Sequence, residues 1–440
     1  MKQKITYNRN LAYYEKLGFD NLFSWSEKDL SQFLIFDYLD DMKWGDTENL
    51  LIRNIKSSLK KYKKYEFIVE LVDRIYNNFL VKMGVRDIKK NERILFKNKR
   101  CFSLISQLKK YYPVDVIVTE KRDRLFSFKN FLRYINMADL YEFIYGYLVE
   151  KNSKYLNDLI EKTKEKLQKI NPNYIILSND SLPIERAIVA VSKNLRICTL
   201  VIQHGIYQSN SILTDGRIAD FILVWGEYFR DLYVKSGLRK PEEIYILGYP
   251  YLIEKKEKSY TENKHYVAYC LGEDVENFKK EYLSIKLEAI KNLYKICNNI
   301  NIKFIYRPHP GDDRKMLKSK LPEVPFTPKN EEIAETFSKG DIFVSCNSTA
   351  LVEAAMRSKV CLQLINYPKT INADDFEKLG ICSKSFIKIE DLKEYLEKLA
   401  KAADLNEFKS KFNKNYIETS YNPNKRFLEI LEKIKNNRKN

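Results

Sequence analysis

Histidine is scarce in this chain, three residues in 440, and two of the three close short apolar runs. His204 ends the run Cys198-Thr-Leu-Val-Ile-Gln-His-Gly205, and His309 ends Phe304-Ile-Tyr-Arg-Pro-His-Pro310. A third motif, Cys346-Asn-Ser-Thr-Ala-Leu-Val-Glu-Ala354, reads as a strand end, a polar turn and a helix start. Open α/β sheets bind ligands at the carboxyl ends of their strands. Imidazoles stationed there suit phosphate binding or proton transfer, so the spacing predicts an enzyme.

Each motif admits a chemical role and a plainer one. In Gln203-His-Gly205 the glycine is expected to turn the backbone sharply and present His204, as a general base or as a hydrogen-bonded organiser of the loop. Ser178-Asn-Asp-Ser181 follows another strand, and there Asp180 or Glu185 is the alternative base; helix capping by Asp180 is the plainer reading. In the Arg-Pro-His-Pro motif two prolines stiffen the turn. Arg307 offers a planar fork and His309 a single directed donor, a pair better suited to phosphate than to proton transfer. The plainer alternative is that Arg307 only pairs with a carboxylate such as Asp312 or Asp313. Ser348, with Thr349 and the free amides of a helix start, makes an anion site next to Asn347, or a simple helix cap. Glu353, about one turn on, is within reach of ribose hydroxyls. Gln203, Gly205, Glu227 and Tyr249 are expected to shape an acceptor pocket or merely to turn the chain.

The missing motifs narrow the chemistry. The sequence contains no Asp-x-Asp pair to bridge a cation to a diphosphate, no Walker-type phosphate loop and no G-x-G-x-x-G. A metal and a bound cofactor are therefore not expected. A leaving phosphate would instead be neutralised by Arg307, His309, hydroxyls and a helix terminus.

These residues need a scaffold. Residues 1–88 read as a helical, aromatic-rich N-terminal extension, in which the lysine-rich stretch Leu59 to Tyr76 is either a membrane-surface helix or the solvated face of a packed one. From about Glu92, short apolar runs alternate with amphipathic helices, the pattern of a parallel sheet with crossover helices. The expected organisation is a Rossmann-like domain over 89–253, a polar linker at 254–264, a second such domain over 265–422 and a terminal helix over 423–440 that packs back on the first. The fold class is α/β, two doubly wound domains facing a cleft. The second domain is expected to include a strand at Val324-Pro-Phe326.

Composition agrees with a globular protein, at 44% hydrophobic residues, and the formal charge of +18 favours anionic partners. Abundant Lys, Ile, Asn and Tyr also fit an AT-rich genome. The seven cysteines lack C-x-x-C spacing, which suits a reducing cytoplasm rather than disulfides or a metal. No apolar stretch approaches the ~20 residues of a spanning helix, so the expected location is cytoplasmic, with peripheral attachment at the inner face of the plasma membrane left open.

In order and wording, Gln203-His-Gly205, Trp225-Gly-Glu-Tyr228, Leu247-Gly-Tyr-Pro250, Arg307-Pro-His-Pro310 and Asn347–Ala354 resemble bacterial surface-polysaccharide glycosyltransferases of the GT-B fold, over about residues 90–370. The His-Pro and Ser-Thr pair is similar to that of bacterial sialyltransferases and polysialyltransferases. Related arrangements occur in capsule Kdo transferases and CDP-glycerol glycerophosphotransferases. The resemblance implies donor-phosphate contacts by His309, Ser348 and Thr349 and a functional role for His204. It implies a nucleotide sugar and a glycan or lipid-linked acceptor as partners, and no nucleic acid. The acidic glycine motif by which sialyltransferases place their base has no clear copy; Gly272-Glu-Asp274 has the letters but lies in the second domain. A CMP-linked donor is the leading expectation. CDP-glycerol transfer, UDP-sugar 2-epimerisation and a catalytically silent glycan- or membrane-binding module are the alternatives.

Overall fold

Runs such as Tyr174-Ile-Ile-Leu177 and Cys198-Thr-Leu-Val-Ile202 are apolar or small throughout, as strands must be when helices cover both faces of a sheet. Every residue of both runs is buried. The computed structural model describes residues 13–36, 52, 55–56, 92–97, 101–119, 134–207, 215–251, 266–272, 280–310, 312–365, 374–410, 412–420 and 422–438. The lysine-rich stretch 59–76, the linker 254–264 and residues 273–274 lie outside these. The chain divides into two compact units, one drawn from Met1–His204, Ile212–Tyr251 and Glu418–Asn440, the other from Gly205–Ser211 and Leu252–Ile417.

In the first unit, β1 (Ile94–Lys97), β2 (Val114–Val118), β3 (Tyr134–Asn136), β4 (Tyr174–Leu177), β5 (Cys198–Ile202), β6 (Phe221–Val224) and β7 (Ile244–Ile246) form a parallel sheet. Its order is β3-β2-β1-β4-β5-β6-β7. The order reverses between β1 and β4, which is a topological switch point. Helices α1 (Phe102–Leu108), α2 (Leu140–Glu150), α3 (Lys154–Ile170), α4 (Pro183–Asn194) and α5 (Glu227–Lys235) connect the strands. In α3 the buried residues Leu156, Leu159, Ile160, Thr163, Leu167 and Ile170 recur at helical spacing, and the helix stops at Asn171 in the left-handed conformation. Helix α4 is buried from Pro183 through Ser192 because a further layer covers it. That layer is the described part of the N-terminal extension, where Tyr14, Trp25 and Phe33 stack among themselves. Buried Arg186 on α4 donates to the Phe33 carbonyl at 2.8 Å.

The second unit holds β8 (Val267–Leu271), β9 (Lys303–Arg307), β10 (Ile342–Ser345), β11 (Val360–Leu364) and β12 (Lys384–Phe386), again parallel, in the order β12-β11-β10-β8-β9. Here the reversal falls between β8 and β10. Its helices are α6 (Lys280–Asn299), α7 (Arg314–Lys320), α8 (Ile333–Lys339), α9 (Thr349–Met356) and α10 (Ile389–Lys401). Val324-Pro-Phe326 is not a strand. Phe326 forms only an isolated bridge with Tyr306, since the proline has no amide to extend a ladder.

The chain rejoins the first unit at Glu418, whose amide donates to the Trp225 carbonyl at 2.8 Å. Helix α11 (Pro423–Asn437) follows, its first amides capped by the Asn422 side chain. Phe427, Ile430, Leu431 and Ile434 bury its apolar face against a core that includes Phe96, Leu104 and Val116. Among the described residues, no helix is long and apolar enough to cross a membrane.

Candidate functional site

His204 stands just beyond β5, with its side chain 42% exposed. Its Nδ1 lies 2.8 Å from Asp215 Oδ2 and 3.0 Å from the Ser178 carbonyl oxygen. Two oxygen acceptors crowd this one nitrogen, so Nδ1 carries the proton. A lone pair there would face two others. In the neutral ring Nε2 is then the basic nitrogen. Gly205 differs from expectation. Its φ is not left-handed, and an added Cβ would meet nothing closer than 3.9 Å.

The neighbouring candidates each have partners within the first unit. Gln203 is fully buried; its Oε1 accepts from the Trp225 amide at 2.9 Å, and its carbonyl accepts from Trp225 Nε1 and Tyr251 Oη. It therefore ties the end of β5 to the end of β6. Tyr249 is 4% exposed and packs edge-on against Trp225, with ring centroids 4.8 Å apart. Glu227 is exposed in the first turn of α5 and pairs with Arg230. Asp180 neither caps α4 nor faces solvent. Its carboxylate accepts from the amides of Gly216, Ile218 and Ala219 at 2.7–2.9 Å. Glu185 is 5% exposed and ion-paired with Lys97 at the end of β1. Both carboxylates are thus occupied inside the first unit.

In the second unit the Arg-Pro-His-Pro turn follows β9 and the Asn-Ser-Thr turn follows β10. The two strands flank β8, so their ends are two strand spacings apart, roughly 10 Å. Between them, at the end of β8, Gly272 makes a close approach: an added Cβ would stand 2.6 Å from the His309 amide nitrogen. A side chain at 272 would push this turn away. Arg307 pairs with a carboxylate other than the two named, Glu331, whose Oε1 lies 3.9 Å from its guanidinium. Its guanidinium donates to Thr336 Oγ1 at 2.7 Å and to the Glu331 carbonyl at 3.1 and 3.2 Å, bracing β9 against α8 rather than pairing with Asp312 or Asp313. Burial pulls its pKa below the usual guanidinium value, against the opposing attraction of Glu331.

Asp313 caps α7. Asp312 holds the turn itself: its fully buried carboxylate accepts from the His309 amide at 2.8 Å, from Lys286 Nζ at 2.9 Å and from Tyr306 Oη at 3.3 Å. The backbone that carries His309 is therefore fixed by a buried ion pair.

Ser348 is the N-cap of α9, its Oγ accepting from the Ala350 amide at 3.3 Å. Asn347, Ser348, Thr349 and Glu353 are all half-buried. Their loop hangs from two buried side chains, Gln363, which donates to the Cys346 carbonyl at 2.8 Å, and Ser345, which donates to the Leu271 carbonyl at 3.1 Å. Helix-start amides and two hydroxyls at a strand end can together hold an anion.

Sequence reasoning passed over Asp215, Gln363 and the holding role of Asp312. No local motif marks Asp215 or Gln363, and Asp312 acts both on the His309 amide beside it and on Lys286, 26 positions back.

The chain matches no protein-family model and no curated protein sequence. Solved structures do resemble it. An S. aureus MnaA structure determined with UDP aligns with a TM-score of 0.55 at 12% identity, covering 78% of this chain and 97% of that one. A crystal structure of a UDP-N-acetylglucosamine 2-epimerase aligns with a TM-score of 0.51 at 13% identity, covering 78% of this chain and 94% of that one. With its two parallel Rossmann-like sheets, the chain has a GT-B-like fold.

Proposed function

We propose that this chain is a metal-independent glycosyltransferase that takes a nucleotide-activated sugar, CMP-linked and sialic-acid-like or Kdo-like, to build a bacterial cell-surface glycan. The observation that carries the reading is the His204 imidazole, exposed at a strand end with Nδ1 held by two oxygens. A neutral ring so oriented can take a proton from an acceptor hydroxyl through Nε2. In the second unit, His309, Ser348, Thr349 and the first amides of α9 are the groups for the donor phosphate. Arg307 contributes by fixing β9 to α8, and Glu353 remains the candidate for ribose. The CMP assignment rests on the motif resemblance. A screen of CMP-, CDP-, UDP- and GDP-linked donors, with product analysis, tests it directly. Transfer from CDP-glycerol alone would replace the sugar with a polyol phosphate.

A second reading, a UDP-sugar 2-epimerase, takes its support from the fold likeness to a structure of that description. It predicts conversion of a UDP-sugar with no acceptor present. The transferase reading predicts acceptor-dependent release of the nucleotide.

Two further results are expected. His309→Ala should weaken nucleotide binding by about 1.5–3 kcal/mol, the scale of a hydrogen bond to a charged group; an unchanged affinity by calorimetry would remove His309 from the phosphate site. Turnover should survive excess EDTA, because the sequence offers no Asp-x-Asp pair. Complete loss with rescue by magnesium or manganese would overturn the metal-independent mechanism.

A further inference from the structure

Taking His204 as the base, we propose that Asp215 is its positioning residue and that Asp180 sets Asp215 in place. The Asp215 side chain is 2% exposed, and its Oδ2 stands 2.8 Å from His204 Nδ1. The Ser178 carbonyl is the second acceptor at that nitrogen, at 3.0 Å. The charged carboxylate is the stronger acceptor and holds the proton. Two acceptors from different segments also fix the plane of the ring, and with it the direction of the Nε2 lone pair.

Asp215 lies in irregular backbone, so something must hold it. Its carbonyl accepts from Tyr233 Oη at 2.6 Å. The residues after it wrap the Asp180 carboxylate, with Oδ1 accepting from the Gly216 amide and Oδ2 from the Ile218 and Ala219 amides. The wrap needs a left-handed residue at 216, where φ is +66° and an added Cβ would stand 2.2 Å from Ile222 Cδ1. Ser178 and Asp180 leave the same strand end, β4. Both acceptors at Nδ1 are therefore referenced to one point of the sheet: Ser178 directly, and Asp215 through the amides that Asp180 grips. Asp180, which sequence alone offers as a base or a helix cap, acts in this arrangement on the orientation of His204.

The test uses the full-length chain labelled with 15N-histidine. There are three histidines, His204, His265 and His309, so His265→Gln and His309→Gln assign the ring signals. Long-range proton–nitrogen correlation should show His204 as the Nδ1–H tautomer. Asp215→Asn, which replaces the acceptor carboxylate with an amide, should shift His204 toward Nε2–H and lower turnover about 10²–10⁴-fold, the range for a misoriented or lost base. Nucleotide Kd should stay unchanged. Asp180→Asn should move the same ring signal in the same direction.

An Nε2–H tautomer in the unmodified protein, or an unmoved signal in Asp215→Asn, would overturn the proposal. A lower melting temperature in Asp180→Asn with the tautomer intact would reduce Asp180 to a fold residue and overturn its part. If no donor is turned over, the base reading fails on activity, while the ring signals still decide the positioning.

Discussion

Lys286→Ala should destabilise the second unit by about 3–5 kcal/mol, the cost of removing one partner from a buried ion pair. Lys286 Nζ lies 2.9 Å from Asp312 Oδ1, and the two side chains are 8% and 0% exposed. Without the ammonium, Asp312 keeps hydrogen bonds from the His309 amide and Tyr306 Oη but has no counter-charge. Asp312→Ala should also be costly, since it leaves that amide and hydroxyl without this acceptor. The double variant should cost less than the sum of the two, because the orphaned charge is gone. Urea unfolding followed by far-UV circular dichroism checks this; strictly additive losses would show that the pair is not coupled. The same variants should weaken nucleotide binding, since the carboxylate they disturb holds the turn carrying His309. An Asp312 variant that binds nucleotide with full affinity would separate the turn from the phosphate site.

How legible the molecule was in its sequence depended on how local each determinant is. The runs at β4 and β5 read correctly because burial on both faces demands unbroken apolarity. Helix α3 is legible because one apolar stripe repeats along its whole length. By contrast β3 escaped: it has only three residues, ends in Asn136 and pairs at the sheet edge, so it carries too little pattern. Val324-Pro-Phe326 misled in the other direction, because apolar residues around a proline look like a strand but cannot complete a ladder.

The site divides along the same line. Ser348 was legible as a cap because a cap is decided within a few residues. Arg307 was legible as a fork but not by its partners, since Thr336 lies 29 positions further along. Asp180 and the Ile218 amide it accepts from are 38 positions apart, brought together only when β4 and β6 join the same sheet. A carboxylate seen at a strand end thus invites a catalytic reading, and only its partners show that it is already engaged. Gln203 and Gln363 teach a similar lesson. Each is a buried amide that ties neighbouring strand ends together, and nothing in the sequence separates it from a ligand-binding amide.

His204→Ala should lower turnover about 10²–10⁴-fold, the range for loss of a general base, while leaving nucleotide affinity nearly unchanged. The expectation follows from where the other proton acceptors are spent. Asp180 accepts from three backbone amides, and Glu185 is paired with Lys97. Using either as a base would first require breaking those contacts. At His204, Asp215 and the Ser178 carbonyl hold Nδ1–H, so Nε2 is the basic atom of the ring. Loss of the ring should therefore fall on kcat, with the donor phosphate still held by the second unit's own groups. Glu185→Gln supplies the opposing measurement. If it abolishes turnover in a protein of normal stability while His204→Ala keeps most of its activity, the carboxylate is the base and the histidine only organises its loop. If both variants bind nucleotide normally and only His204→Ala loses turnover, the proton goes to the imidazole.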